Sequence, residues 1–517
     1  MRDARGFLSR VFGYDSFRPG QEEAVSALLS GRDLLAVMPT GAGKSICYQL
    51  PALMRGHVTL VVSPLISLMR DQVTALRQNG VRAAYINSAL TLSQQHKALE
   101  NAKDGMYRIV YVAPERLMTE AFLRFACQTE LDYVIVDEAH CVSQWGQDFR
   151  PAYLSIAPFL ETLPDRPPVG AFTATATDAV RRDIEHLIGL HNSAKVLTGF
   201  DRPNLFFEVQ RPENRDRALL SFVRRHREES GIVYCATRKA AEQVAAMLQE
   251  NDINAGCYHA GMGDEERSQV QEDFVSDRLS VIAATNAFGM GIDKSNVAFV
   301  VHYQMPKDLE SYYQEAGRAG RDGSEAHCLL LYKPQDVFLQ RFFLDRQDEQ
   351  SELDEGTRKT VRERAEARLR EMTFYATGSG CLRARILRYF GESAKPCGHC
   401  GNCLGLSGQK DVTGIAGEVP GKSAAKGVRL DGTRVVETPP DLRELYTRLS
   451  DLRRRVAKEQ KVPPFIIFTN LTLQDMAAKR PRTREEMQRV TGVGEGKWER
   501  YGERFLREIE KWEEERR

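Results

Sequence analysis

Between residue 33 and about residue 335, short runs of Val, Ile and Leu alternate with stretches whose apolar positions recur at helical spacing. That alternation is the pattern of parallel sheets flanked by helices. In the first half it predicts strands at Asp33 to Met38, Val58 to Ser63, Ile109 to Val112, Tyr133 to Val136 and Val169 to Thr173. In the second it predicts them at Gly231 to Cys235, Ala255 to Tyr258, Val281 to Ala284, Val297 to Tyr303 and His327 to Tyr332. Pro and Gly break both periodicities in TGFDRPN, Thr198 to Asn204, so the expected fold is α/β with two parallel-sheet lobes, 1–199 and 200–335. From 336 the strands stop, and charged helical sequence leads into a cysteine cluster, which makes 336–408 a separate small module. Residues 409–439 are Gly-rich, with Pro, Lys and Ser and no sustained period, the composition of a flexible tether. The stretch 440–517 is helical in pattern and forms an all-helical terminal domain.

Composition narrows this picture only a little. A chain of 517 residues is too long for one core, and 42% hydrophobic with 28% charged residues describes a globular protein. With a formal net charge of +1, any polyanion has to be held by local basic patches rather than by a global field. No apolar run reaches the roughly 18 residues of a membrane span, and MRDARGFLSR lacks the apolar centre of a signal peptide, so a cytoplasmic, nucleoid-associated protein is expected. Six of the ten cysteines (Cys47, Cys127, Cys141, Cys235, Cys257 and Cys328) stand alone and read as reduced, mostly buried thiols.

Two motifs carry phosphate chemistry. MPTGAGKS, Met38 to Ser45, follows a strand and opens a helix, where backbone N–H groups can wrap a triphosphate. Thr40, Gly41 and Gly43 belong to the loop, Lys44 neutralises the β and γ phosphates, and Ser45 ligates Mg²⁺. Met38 stands where the strict pattern has Gly. YVIVDEAH places Asp137 and Glu138 just past the carboxyl end of a buried strand, facing the same crevice. Asp137 is expected to hold Mg²⁺, and Glu138 to orient and deprotonate the attacking water. Upstream, FGYDSFRPGQ offers Tyr14, Arg18 and Gln21 as an adenine-binding set, with an aromatic face to stack and an amide to read the base edge. A core Tyr and a helix-starting Gln fit that segment equally well.

Cys381, Cys397, Cys400 and Cys403 fall as C-x15-C-x2-C-x2-C, a spacing that closes a tetrahedral, structural Zn²⁺ site. His399 is the alternative ligand.

Taken in order, FRPGQ, MPTGAGKS, SPLISLMRDQ, APERL, DEAHCVSQWGQDFRP, FTATA, YHAG, ATNAFGMGIDK and QEAGRAGRDG resemble the RecQ family of superfamily 2 helicases across nearly the whole chain. The shortened TGxGKS form of the phosphate loop is usual in that superfamily, and CVSQWGQDFRP is the segment specific to RecQ. The resemblance implies two RecA-like lobes and ATP-driven movement 3′ to 5′ along single-stranded DNA. It further implies unwinding of forked or tailed duplexes in replication, recombination or repair, by a chain that works as a monomer and meets single-strand-binding and repair proteins. A DNA-stimulated translocase with weak unwinding, or an RNA helicase of the same superfamily, is the alternative. The resemblance also implies Arg321 as an arginine finger, with Arg318 beside it and Gln314 near the nucleotide. DNA contacts are implied at Ser63, His259 and Thr285, within the family's DNA-contact and coupling motifs. In the aromatic-rich loop, Trp145 and Phe149 offer stacking faces worth about 1 to 3 kcal/mol per base, and Arg150 a phosphate or stacking contact. Gln147 stands where many members carry His.

The cysteine spacing after CLRARILRYFGE matches the family's zinc module, and VPPFIIFTNLTLQDMA with TGVGEGKWERYGERFL resembles the HRDC domain, an auxiliary DNA-binding module. Arg453, Arg454, Arg455, Lys458 and Lys479 are its candidate phosphate contacts. Many members place a winged-helix domain after the zinc module. Here only the 409–439 tether intervenes, so strand separation needs another wedge, in the zinc module or the aromatic-rich loop.

Overall fold

A computed structural model describes residues 2–64, 66–88, 90–143, 149–288, 294–349, 355–406, 440–460 and 462–515. Among them thirteen strands form: β1 (Leu34–Val37), β2 (Val58–Val62), β3 (Ala83–Ile86), β4 (Ile109–Val112), β5 (Leu131–Val136), β6 (Val169–Thr173), β7 (Ala194–Leu197), β8 (Leu205–Gln210), β9 (Ser230–Tyr234), β10 (Ala255–Tyr258), β11 (Val281–Ala284), β12 (Val297–His302) and β13 (Ala326–Leu331). They build a seven-stranded sheet, β3-β4-β2-β5-β6-β1-β7, and a six-stranded sheet, β10-β11-β9-β12-β13-β8. The pairings are parallel. Every residue of β1, β2, β4 and β6 is buried. Helices cover both faces of such strands, which is why they read as unbroken apolar runs.

The chain divides into two compact units. In the first, the seven-stranded sheet is held at its amino-terminal edge by Asp33, which is 4% exposed. Its carboxylate pairs with Arg166 at 2.7 Å and accepts the N–H groups of Val169 at 2.8 Å and His191 at 2.6 Å. Asp33 thus precedes β1 rather than lying within it, and ties the start of β6 and the approach to β7 to that strand.

The C-terminal helices, including Pro440–Gln460, Asn470–Lys479 and Glu503–Glu514, belong to this unit too. Leu445, Leu449, Phe468, Met476, Phe505 and Ile509 fill their own core. Arg453 is corrected here as a phosphate contact. It is 3% exposed, and its guanidinium donates to the carbonyl of Phe468 and to Asn470 Oδ1, each at 2.9 Å, so it braces the interior of the domain. Neighbouring Arg454 is exposed and pairs with Asp451 at 3.2 Å.

The second unit contains the six-stranded sheet and, behind it, helices Gln335–Glu349, Glu355–Thr377 and Leu382–Tyr389. These are joined to the sheet by specific contacts. Phe200 stacks on Phe390 with ring centroids 4.2 Å apart, and the Gly401 N–H donates to the carbonyl of Phe207 on β8 at 2.8 Å. Of the isolated cysteines, Cys47, Cys141, Cys235 and Cys328 are buried, and burial pushes the Cys47 thiol up to about 12. Cys127 is exposed, and Cys257 half-buried. Among the described residues no helix is long and apolar enough to cross a membrane.

Candidate active site

The carboxyl ends of β1, β6 and β5 lie side by side in the first sheet, so their following loops emerge at one edge. The loop after β1 is Met38 to Ser45. Gly41 and Gly43 have left-handed φ angles of 84° and 80°, and the helix Lys44–Met54 starts directly behind them. Met38 N–H donates to the carbonyl of Thr173 at 3.0 Å, and Lys44 Nζ donates back to the carbonyl of Met38 at 3.0 Å. This loop is braced by the upstream segment. Arg18 donates to the carbonyl of Gly41 at 2.5 Å, and Gln21 Nε2 donates to the carbonyls of Ala42 at 3.0 Å and Gly43 at 3.2 Å, while Gln21 Oε1 accepts the Arg18 N–H at 2.9 Å. Gln21 is 2% exposed. Its amide ties the Ala42–Gly43 part of the phosphate loop to the Arg18 backbone, a task that composition gave no reason to assign to it. Half-buried Tyr14 and Ile46, the residue after Ser45, both pack against a cluster that includes Leu8, Phe12 and Leu50.

Past β5, Asp137 is 7% exposed, and its Oδ1 accepts the N–H of Glu138 at 3.0 Å. Tyr153 fixes the turn by donating to the carbonyl of Asp137 at 2.8 Å. Glu138 has a φ of 48°, a left-handed conformation that is uncommon for a residue with a Cβ and costs about 1–3 kcal/mol. Its Oε2 is buried without a hydrogen bond, and His140 Nδ1 lies 3.4 Å away. The same His140 Nδ1 is 2.9 Å from Thr173 Oγ1, which links DEAH to FTATA through the strand between the acidic turn and the phosphate loop.

The basic pair of the second unit sits in a glycine turn at the end of helix Leu309–Ala316. Arg318 is 6% exposed, Arg321 is half-buried, and Gln314 lies half-buried on the helix. Arg202, in the TGFDRPN segment, was missed in the sequence. It is 3% exposed and donates to the carbonyls of Gly317 at 2.6 Å, Ala319 at 2.9 Å and Gly320 at 2.7 Å. Asn204 Nδ2 adds bonds to the carbonyls of Gly320 at 2.9 Å and Ser324 at 2.8 Å. A Cβ on Gly320 would come within 2.5 Å of that nitrogen. The turn carrying Arg318 and Arg321 is therefore clamped from below by a buried cation, for which hydropathy leaves no signature. Arg202→Ala would remove the guanidinium that serves the buried carbonyls of Gly317 and Ala319, each costing about 1–3 kcal/mol when left unsatisfied, while the Gly320 carbonyl keeps Asn204 and the Gly323 N–H. We expect this variant to lose at least tenfold in DNA-stimulated ATPase kcat with little change in KM for ATP, as measured by steady-state kinetics.

The other candidate contacts of the two lobes are buried at Ser63, His259 and Thr285. Ser63 is 1% exposed, and its hydroxyl makes no hydrogen bond. His259 is 6% exposed, with Nε2 at 2.9 Å from Glu242 and Nδ1 accepting the Gly261 N–H at 3.2 Å. Thr285 is 8% exposed. In the aromatic-rich loop Trp145 and Gln147 lie outside the described residues. Phe149 and Arg150 are half-buried, and Arg150 donates to the carbonyl of Pro64 at 2.9 Å.

The sulfur atoms of Cys381, Cys397, Cys400 and Cys403 lie within 4.8 Å of one another. Those of Cys381 and Cys397 are 3.4 Å apart, and those of Cys381 and Cys400 3.9 Å. A tetrahedron with Zn–S bonds of about 2.3 Å has edges of about 3.8 Å, so the cluster fits Zn²⁺. Burial opposes ionisation of Cys381, yet the N–H groups of Ala384 and Cys397 pull its thiol down to about 7, ready to bind as thiolate. The ring of His399 packs edge-on against Phe206 at 5.2 Å, and the cluster itself is formed by the four cysteines.

Comparison with known proteins decides the family. Residues 18–183 match the DEAD/DEAH box helicase profile, 214–323 the helicase conserved C-terminal domain, 334–404 the RecQ zinc-binding domain and 443–509 the HRDC domain. The chain is 40% identical to the ATP-dependent DNA helicase RecQ of Bacillus subtilis, covering 98% of each chain. It belongs to the RecQ helicases. The RecQ of Haemophilus influenzae is 35% identical over 97% of this chain and 95% of its own. As a RecQ-type enzyme the chain is an ATP-dependent DNA helicase, a class that unwinds DNA in repair and recombination. The B. subtilis alignment runs to 591 positions against 517 residues here, so that RecQ carries sequence this one lacks. Between the zinc-binding and HRDC matches only residues 405–442 remain. Among solved structures, Mycobacterium smegmatis helicase Lhr bound to ssDNA and AMP-PNP aligns with a TM-score of 0.53 at 24% identity, covering 64% of this chain and 48% of its own. The DUF1998 helicase MrfA bound to DNA and AMPPNP gives 0.52 at 20%, covering 63% and 50%. Both share the fold of the two RecA-like lobes.

Proposed function

We propose that this RecQ helicase hydrolyses ATP on the first lobe with Glu138 as the base, and that the energy drives 3′ to 5′ movement along single-stranded DNA. The observation that carries this reading is the acidic turn of β5 set one strand away from the phosphate loop of β1, with Glu138 strained and its buried Oε2 making no hydrogen bond. Thr40, Gly41, Gly43 and Lys44 cradle the phosphates. Ser45 and Asp137 supply the hard oxygen ligands that suit Mg²⁺, whose charge would neutralise the phosphates. Tyr14 stacks on the adenine. Arg321, positioned by the Arg202 clamp, meets the γ-phosphate in the ATP-bound state, with Arg318 beside it and Gln314 toward the nucleotide. An arginine finger of this kind is worth about 10³ to 10⁵ in rate.

Phe149, Trp145 and Arg150 in the aromatic-rich loop are the strand-sensing contacts, and Ser63, His259 and Thr285 line the track. Arg454 is the HRDC contribution. With only residues 405–442 between the zinc-binding and HRDC matches, the zinc module or the aromatic-rich loop acts as the wedge. The protein works as a monomer near the nucleoid in the cytoplasm, alongside single-strand-binding and repair proteins.

Unwinding of duplexes with 3′ tails, 5′ tails or forks tests the reading. A 3′-tailed or forked substrate should be unwound, a 5′-tailed one should not, and Lys44→Ala should abolish both ATPase and unwinding. Undiminished ATPase in Lys44→Ala would overturn the site. A relative 36% identical over 77% of this chain bears the name putative ATP-dependent RNA helicase. Stimulation of ATPase by RNA rather than by DNA would favour that second reading.

A further inference from the structure

The HRDC region carries a glycine-rich turn, TGVGEG, whose Val493 belongs to the domain's own core while Gly494 and Gly496 meet chain from outside it. The Gly492 N–H donates to the carbonyl of Gly13 at 2.9 Å. Gly13 itself is buried, with a left-handed φ of 73°. A Cβ there would lie 2.5 Å from the Gly494 nitrogen and 2.7 Å from Val493 backbone atoms. In the other direction, a Cβ on Gly494 would meet the carbonyl oxygens of Val11 at 3.0 Å and Arg10 at 3.1 Å. A Cβ on Gly496 would meet that of Asn79 at 3.2 Å. Main chain thus lies directly against main chain, an approach that only residues without side chains permit. Side chains close the contact at one end, where Gln78 Oε1 accepts from Tyr501 Oη at 2.6 Å and from Arg500 at 2.8 Å. Gln78 ends the helix Ile66–Gln78, which comes from SPLISLMRDQ.

The residue gripped by this turn has consequences for the nucleotide. Gly13 immediately precedes Tyr14, and Val11, Tyr14 and Phe17 pack against the same small core, built on Leu8, Phe12 and Leu50, as Ile46 on the first turn of the phosphate-loop helix. Arg18 and Gln21, a few residues on, hold the loop's carbonyls. Whatever fixes Gly13 therefore fixes one side of the ATP pocket.

We propose that the HRDC domain docks on the nucleotide-binding lobe through Gly492–Gly496 and positions the Tyr14–Gln21 segment, so that it sets ATP affinity as well as touching DNA. This inference rests on the reading of Tyr14, Arg18 and Gln21 as part of the ATP site. None of the docking residues touches the phosphates, so their effect falls on KM more than on kcat.

The test uses the full chain with Gly496→Trp, which wedges the turn away from Asn79, and separately Gln78→Ala, which removes the acceptor from the lobe side and leaves the HRDC sequence intact. At saturating single-stranded DNA, each variant should raise KM for ATP about three- to tenfold, change kcat less than about twofold, and speed hydrogen exchange in residues 8–20. Gln78→Glu keeps an acceptor for both donors and should retain the parent KM. Parent KM and parent exchange in both Gly496→Trp and Gln78→Ala would overturn the docking. Faster exchange with an unchanged KM would leave the docking standing and overturn its link to ATP. A parent chain without DNA-stimulated ATPase would overturn the function itself, whatever the exchange showed.

Discussion

Glu138→Gln will lower DNA-stimulated ATP turnover by about 10² to 10⁴-fold, the range of a lost general base, and will leave ATP binding essentially intact. Glutamine has the size and shape of glutamate, so the left-handed backbone at this position and the N–H bond to Asp137 Oδ1 are kept. What disappears is the anionic Oε2, which is buried, makes no hydrogen bond and lies 3.4 Å from the His140 ring. A carboxylate held in this way has a proton-accepting oxygen to spare, and an amide does not. Because Lys44, Gly41 and Gly43 are untouched, a fluorescent ATP analogue should bind the variant within about twofold of the parent. Single-turnover hydrolysis at the parent rate would move the base to another residue. Glu138→Gly makes a useful companion, because it relieves the backbone strain while removing the carboxylate: if strain alone mattered, the two variants would differ.

Cys400→Ser will strip the zinc and melt the module that surrounds it. Cys400 is fully buried, and its loss leaves three sulfur ligands where a closed site takes four. Structural zinc sites supply an apparent 10–16 kcal/mol or so in small peptides, more than a marginal module can lose. The damage should extend beyond the cluster. Cys381 caps the helix Leu382–Tyr389 through its sulfur, and Arg383 on that helix is 7% exposed and donates to the carbonyls of Pro203 at 3.1 Å and Leu205 at 2.6 Å. Those carbonyls flank Arg202 and Asn204, which hold the Arg318–Arg321 turn. Metal analysis should find zinc in the parent and none in the variant. A thermal scan should show an early transition, and ATPase should fall along with it. Parent stability in a metal-free variant would overturn the structural role of the ion.

Much of this was readable from the sequence because buried parallel strands are apolar from end to end. β1, β2, β4 and β6 announce themselves in that way. The strands absent from the reading, β3, β7 and β8, all lie at sheet edges. Half of β7 faces solvent, and β8 carries Glu208, whose carboxylate is partnered by His327 at 2.7 Å and Gln210 at 2.7 Å. Polar positions at an edge break the apolar run that marks a strand. The phosphate loop and acidic turn were legible because backbone wrapping and metal binding demand particular residues at fixed spacing. Arg202 and Gln21 were not, since each works by bonding carbonyls distant in sequence, and a carbonyl has no letter of its own. Arg453 misled for a related reason. Along a run of basic residues on a helix, one side chain in each turn points inward, and sequence does not say which.

The placement of β8 has an effect while the protein is being made. It is the first strand of the second lobe to emerge from the ribosome, yet its neighbour in the sheet is β13, the last, with Leu205 opposite Ala326. At about 5–20 residues per second the earlier strand waits roughly 6–24 seconds for its mate. Until then its unpaired edge and the buried cation beside it have nowhere to go. A nascent chain halted short of residue 331 should therefore depend on chaperones in a way that the released protein does not.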